Sequence, residues 1–278
     1  MKVVVDNKIP YINKAIEAIA SEVVYAPGNE FTPELIKDAD ALIIRTRTIC
    51  NRELLEGSKV QFIATATIGY DHIDVQYCHD AGISWINAPG SNANSVAEYI
   101  ESALTLLVKD REMPLSKMKI GIVGVGNVGT LISEKAITFG MSVLENDPPR
   151  GAREGNEQFA TLEQIAEECD IISFHTPLTM EGTYKTYHLA DEAFFHSLKK
   201  KPLIINTSRG EVIDTKALLK AMDEGLVSDA IIDVWENEPN IDRELLKRAY
   251  IATPHIAGYS ADGKANATRM ALEGLCRH

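Results

Sequence analysis

The stretch "KIGIVGVGNVGTLISEKAITFG", residues 119–140, decides the fold. An apolar run opens it, and Gly124, Gly126 and Gly129 follow in the spacing G-x-G-x-x-G at the start of a helical pattern. A glycine-rich turn alone says little, because many loops contain one. Between a strand and a helix the three glycines acquire separate tasks. They allow a tight turn, close approach of the backbone to a pyrophosphate, and close helix–strand packing, while the helix N-terminus favours the anion. The next apolar run ends in "LENDPPR", which puts Asp147 eighteen residues beyond Gly129. A carboxylate at that point bonds both ribose hydroxyls of NAD and repels the extra phosphate of NADP. NAD is the expected cofactor, although Arg150 nearby points the other way.

Outward from this motif, short β-branched runs alternate with helical patterns along the whole chain. "KVVVD", "EVVYA", "DALIIRT", "VQFIATAT" and "ISWINA" precede it, with a long helix predicted over "APGSNANSVAEYIESALTLLVKDRE". "KIGIVGVG", "MSVLEND", "DIISFHTP", "PLIINTSR", "DAIIDVW" and "YIATPH" form a second series. Near-continuous apolar runs suit parallel strands buried on both faces. Two such series predict an α/β protein of two doubly wound parallel-sheet (Rossmann-like) domains with an active-site cleft between them. The last segment, "SADGKANATRMALEGLCRH", reads as a helix packing back on the first domain, with no closing element after it.

The totals narrow the class further. With 278 residues, 45% of them hydrophobic and 24% charged, the chain has the composition of a globular protein with a proper core. A net charge of −12 argues against nucleic acid as a partner, since counterion release needs a basic face. Cys50, Cys78, Cys169 and Cys276 are scattered without metal-ligand spacing, so no metal is expected and the thiols read as reduced. No segment reads as a signal peptide or membrane span, and a cytoplasmic location is expected.

Four segments resemble the D-isomer-specific 2-hydroxyacid dehydrogenases: "NVG" in the glycine loop, "INTSRGEVID" at 205–214, "DVWENEP" at 233–239 and "TPHIAG" at 253–258. The resemblance covers essentially the whole chain. It implies a substrate-binding, flavodoxin-like domain from residues 1–90 and 258–278, and an NAD-binding domain over 91–257. It implies cofactor contacts at Gly124, Gly126, Asn127, Val128, Gly129, Asp147, Thr176, Thr207, Ser208, Asp233 and Gly258. It also implies that His255 and Glu238 are the acid–base pair and that Arg209 holds the substrate.

The chemistry makes sense of the trio independently. Oxidising a secondary alcohol by hydride transfer leaves a hydroxyl proton to remove, and an imidazole titrating near neutrality suits that work. A carboxylate on its second nitrogen fixes the tautomer and stabilises imidazolium. Arginine holds a carboxylate with two parallel bonds. Taken singly, His255, Glu238 and Arg209 read equally well as loop, solvent and surface-pair residues. All three fall at the carboxyl ends of predicted parallel strands, where open α/β sheets place their ligands. The other histidines carry less: His72 and His79 are placed on a helix, the His175 ring is read as incidental, His188 and His196 as surface or packing residues, and His278 is terminal.

"DPPR", "YKT" before "HLADE", and "HIAGY" before "GKA" resemble members of the family that act on a phosphorylated hydroxy acid, a small molecule. Thr46, Thr67 and Tyr259 would then give hydroxyls to the phosphate end, with Arg45 or Arg47 giving charge. The amides around Ile68 and Gly69 would receive the carboxylate opposite Arg209. Such members carry a C-terminal dimerisation domain that this chain does not reach, so a homodimer is expected of the longer form. The alternatives are a dehydrogenase of phosphoglycerate or glycerate, or an NADH-sensing binding protein.

Overall fold

Apolar runs become strands here because both faces of each sheet are covered. The computed structural model describes residues 1–155 and 158–278, and the chain divides into two compact units. The first comprises Met1–Asn92 with Tyr259–His278, and the second Ala93–Gly258.

The first unit holds β1 (Lys2–Asp6), β2 (Glu22–Ala26), β3 (Ala41–Ile44), β4 (Phe62–Thr65) and β5 (Ser84–Ile86) in the order β2-β1-β3-β4-β5. Every pairing is parallel. Alternate side chains feed two separate cores, as the period of two requires. Val4, Leu42, Ile44 and Ile63 face one, while Val3, Val5, Ile43 and Ala64 face the other. The helix Ala261–Arg277 returns to the second of these cores through Ala271 and Leu275. Gly274 lets it lie close, since a Cβ there would come within 1.9 Å of Ile86.

The second unit holds β6 (Lys119–Val123), β7 (Ser142–Asn146), β8 (Ile171–Phe174), β9 (Leu203–Asn206), β10 (Asp229–Ile232) and β11 (Ile251–Ala252). Their order is β11-β10-β9-β8-β6-β7, again all parallel. Leu203, Ile205 and Ile231 face one core and Ile204, Ala230 and Ile232 the other. The long helix Ala93–Arg111 covers the first of these with Ala97, Ile100, Leu104 and Leu107, one stripe at helical spacing. Truncating a fully buried residue such as Leu104 to alanine costs about 2–5 kcal/mol.

The connecting helices start where short polar side chains accept a backbone N–H of the first turn, among them Asp74, Asp147, Thr161, Asp191 and Asp214. Capping by Asp74 starts one helix at Val75, so the placement of His72 on that helix is corrected: it precedes the helix, buried against Thr65. Burial pushes the thiols of Cys50 and Cys169 up to about 12 and that of Cys78 to about 11, leaving them inert. Among the described residues, no helix is long and apolar enough to cross a membrane.

Both strand orders reverse at an inner strand, between β1 and β3 in one unit and between β6 and β8 in the other. Loops leaving the carboxyl ends at these points form the crevices in which open sheets bind ligands.

Candidate active site

In the second unit the loop after β6 has the geometry a dinucleotide requires. Gly124 has φ +90°, and a Cβ there would lie 2.8 Å from the His175 backbone. A Cβ on Gly129 would sit 2.0 Å from the Gly124 carbonyl oxygen, so only glycine lets the helix Asn127–Thr138 start this close. Gly126 caps that helix without a side chain and faces open space, which leaves the amides of Asn127 and Val128 for an anion. Asp147 follows β7 and braces the loop: its Oδ2 accepts from the Val125 amide (2.9 Å) and its Oδ1 from the Arg150 amide (2.9 Å). Thr176 has a buried hydroxyl with no partner among the described residues. An unfilled buried donor, a glycine cradle and an uncapped helix start together fit a bound dinucleotide.

The His175 ring beside Thr176 is not incidental. It bridges Ser173 Oγ through Nε2 (2.7 Å) and Thr207 Oγ1 through Nδ1 (3.3 Å). Burial pushes its pKa down to about 3, so it stays neutral and ties β8 to the loop after β9.

Arg209, Glu238 and His255 stand on the loops after β9, β10 and β11 of this one unit. His255 Nδ1 bonds Glu238 Oε2 at 2.9 Å. Glu238 Oε1 accepts from the Trp235 amide at 2.9 Å. With Nδ1 engaged, Nε2 is the nitrogen left to meet a substrate. The hydrogen bond to Glu238 raises the pKa of His255 above its usual 6.5, against burial and the nearby Arg209. Burial works against ionisation of Glu238, but its bonds to His255 and Trp235, with the Arg209 charge, hold its pKa below the ordinary 4.5.

Several residues that hold these loops escape a sequence reading. Asn206 Oδ1 accepts from both the amide and hydroxyl of Ser208 (3.0 and 2.9 Å), and its Nδ2 donates to the Arg209 carbonyl (2.9 Å). That shapes the turn presenting Arg209. Gly210 then presses on the next loop, where a Cβ would meet the Trp235 backbone at 1.9 Å. Trp235 Nε1 reaches onward to the Thr253 carbonyl (2.9 Å). Asp233, 1% exposed, accepts at Oδ1 from Thr253 Oγ1 (2.6 Å) and the Ile256 amide (2.8 Å), and at Oδ2 from the Ala257 amide (2.9 Å). Asp233 therefore shapes the His255 loop, a task beyond the expected cofactor contact. Gly258 closes this loop. Among the described residues, no group of three or more His, Cys, Asp or Glu could hold a metal ion.

In the first unit the expected substrate residues lie at carboxyl ends of β3 and β4 and at the entry to the last helix. Thr46 and Arg47 are exposed; Arg45 donates to the fully buried Asp6 through Nε (3.1 Å). Thr67 donates its hydroxyl hydrogen to the Gly69 carbonyl (2.9 Å). A short bond to Thr65 Oγ1 (2.6 Å) and another from there to His72 Nε2 (3.0 Å) extend the chain inward. Because the Gly69 carbonyl only accepts, Thr65 donates to Thr67 and the His72 Nε2–H donates to Thr65. Burial supports that neutral form by pushing His72 down to about 4. Thr67 thus has no free hydrogen for a phosphate, contrary to its expected use as a donor. The Ile68 and Gly69 amides meet no acceptor among the described residues. Tyr259 is 72% exposed, and the Lys264 ammonium lies 3.2 Å from its ring centroid. Lys264, foremost, and Arg45 lower the phenol's pKa.

A dinucleotide loop and a carboxylate-backed imidazole beside an arginine define an NAD-dependent oxidoreductase. The family model for "D-isomer specific 2-hydroxyacid dehydrogenase, NAD binding domain" matches residues 102–257. This chain belongs to the D-isomer-specific 2-hydroxyacid dehydrogenase family. It is 67% identical over 277 residues to erythronate-4-phosphate dehydrogenase of Bacteroides fragilis, covering 100% of this chain and 80% of the relative. To the enzyme of that name from an Escherichia coli strain it is 42% identical, covering 100% and 73%. Among solved structures, the NAD+-bound 3-phosphoglycerate dehydrogenase of Entamoeba histolytica is 30% identical with a TM-score of 0.80, covering 99% of this chain and 94% of that one. NAD is the cofactor.

Proposed function

We propose that this chain oxidises 4-phospho-D-erythronate to (R)-3-hydroxy-2-oxo-4-phosphooxybutanoate with NAD, within the formation of pyridoxal phosphate. The observation that carries the reading is the His255–Glu238 bond, with Arg209 alongside, in a chain 67% identical to a named enzyme of that specificity.

Each residue has a task. Arg209 holds the substrate carboxylate in two-point contact, with the Ile68 and Gly69 amides as further donors. Neutral His255 takes the hydroxyl proton at Nε2 as the alcohol carbon gives up its hydride. Glu238 stabilises the imidazolium that forms and keeps the ring's tautomer. NAD, when bound, supplies the hydride acceptor. Gly124, Gly126, Asn127, Val128 and Gly129 receive its pyrophosphate, Asp147 its ribose, and Thr176, Thr207, Ser208, Asp233 and Gly258 its nicotinamide half. Thr46 and Tyr259 serve the phosphate end, with Lys264 and Arg45 as cations, while Thr67 braces the turn through the Gly69 carbonyl. On this reading Met1–Asn92 with Tyr259–His278 binds substrate and Ala93–Gly258 binds nucleotide.

The partner is a small phosphorylated acid and not nucleic acid, in keeping with a net charge of −12. A homodimer is the state the family resemblance supports for the longer form, and the scattered cysteines without metal-ligand spacing support a cytoplasmic location. A second reading, a phosphoglycerate dehydrogenase, draws on the 30% identity to the Entamoeba histolytica enzyme. Initial rates with NAD on 4-phospho-D-erythronate, 3-phospho-D-glycerate and D-glycerate separate them. The first acid is expected to give the highest kcat/KM. A preference for phosphoglycerate would support the second reading, and NADH binding without turnover of any acid would make the protein a sensor.

A further inference from the structure

Arg150 lies on the first turn of the helix Pro148–Glu154, three residues after Asp147. A guanidinium beside the ribose carboxylate is what accommodates the 2′-phosphate of NADP in this kind of domain. Here its donors are committed elsewhere. Nη2 bonds Glu154 Oε2 at 2.8 Å and Nε bonds both Glu154 oxygens at 3.1 and 3.2 Å. Nη1 donates to the Val125 carbonyl inside the glycine loop at 2.6 Å. The guanidinium also lies over the Phe159 ring, 5.3 Å from its centroid. The bidentate carboxylate both neutralises the charge and occupies the fork that would otherwise grip a phosphate.

We propose that Glu154 is a specificity-determining residue: by occupying Arg150 it withholds the cation that a 2′-phosphate would need. Discrimination against NADP then has two layers. Asp147 repels the phosphate directly, and Glu154 keeps the neighbouring arginine from compensating. The second layer rests on the reading that Asp147 faces the ribose. As a plain surface ion pair, Arg150–Glu154 would matter little to anything, so the distinction is measurable.

The test titrates the full chain with 2′,5′-ADP and with 5′-AMP by calorimetry, so that no turnover is needed. In Glu154→Gln and Glu154→Ala, affinity for 2′,5′-ADP is expected to rise about tenfold, the scale of one charge-assisted hydrogen bond. Affinity for 5′-AMP should change by less than about twofold, as expected when the altered bond meets only the phosphate. Adding Arg150→Ala to Glu154→Gln should abolish the gain. Persistence of the gain without Arg150 would overturn the proposal and assign the effect to Arg153, whose Nη2 lies 3.7 Å from Glu154. Equal changes for both ligands, or none, would also overturn it. Asp147→Ala runs alongside. If it weakens 5′-AMP binding while the Glu154 variants stay flat, only this proposal fails. If it leaves 5′-AMP binding unchanged, the placement of the ribose itself is wrong.

Discussion

His255 and Tyr259 are four residues apart in the chain, yet one sits in a braced loop and the other on an open surface. The His255 loop donates three hydrogen bonds to the buried carboxylate of Asp233, and its imidazole is held by Glu238. Tyr259 is 72% exposed, with the Lys264 ammonium against its ring. The contrast follows from what each end must do. Proton transfer depends on a donor–acceptor geometry fixed before the substrate arrives. Recognising a phosphate asks for charge and hydroxyls within reach, and long side chains can adjust on binding. Damage at the braced region should therefore cost rate, and damage at the open region should cost affinity.

The largest expected effect lies in the braced region. His255→Ala should lower kcat by about a hundredfold or more, the usual scale of general acid–base catalysis, with NADH affinity nearly unchanged. A loss confined to KM would break the comparison. Asp233→Asn tests the brace itself, because an amide group would present hydrogens to backbone donors. A fall in kcat on the order of tenfold is expected, from loss of a charge-assisted bond, with a lowered thermal midpoint. Unchanged kcat would show that the loop holds its shape without the carboxylate.

Glu238→Gln should move a pH profile. Oxidation needs neutral His255, so kcat/KM rises as pH climbs through the pKa of His255, which Glu238 holds above 6.5. Losing the carboxylate destabilises imidazolium, lowers that pKa and moves the rising limb to lower pH. A limb that stays in place would mean that the two residues are uncoupled in the working enzyme. Tyr259→Phe is the mildest change. It should raise KM for 4-phosphoerythronate by about 0.5–1.5 kcal/mol, one neutral hydrogen bond, with kcat preserved.

The same contrast decides what the sequence makes legible. Strands such as Val3–Val5 and Ile171–Ile172 declare themselves because burial on both faces demands unbroken apolar runs. The glycine loop is legible because Gly124 and Gly129 are irreplaceable where they stand. Arg209, Glu238 and His255 stand out because their chemistry and the motifs around them agree. The support beneath them is hidden. Asp233, Asn206 and Trp235 act through loop-to-loop bonds, and nothing in local periodicity distinguishes such an aspartate from any other at a strand end. His72 is misplaced by composition because the helix near it starts only at the Asp74 cap. Lys264 was legible only as part of "GKA"; its position over Tyr259 arises from a helical turn that brings the two together.

The division of labour between the two regions is tested most directly by one ratio. Affinity for 4-phosphoerythronate as substrate is divided by affinity for erythronate as a competitive inhibitor, in the wild type, Tyr259→Phe and Arg209→Lys. Tyr259→Phe should lower the ratio about two- to tenfold, because only one of the two acids carries the phosphate. Arg209→Lys should weaken both acids alike and leave the ratio where it was, because two-point recognition of their shared carboxylate is lost. A ratio unmoved by Tyr259→Phe, or lowered by Arg209→Lys, would place the tyrosine away from the phosphate or the arginine beside it, and would contradict the account.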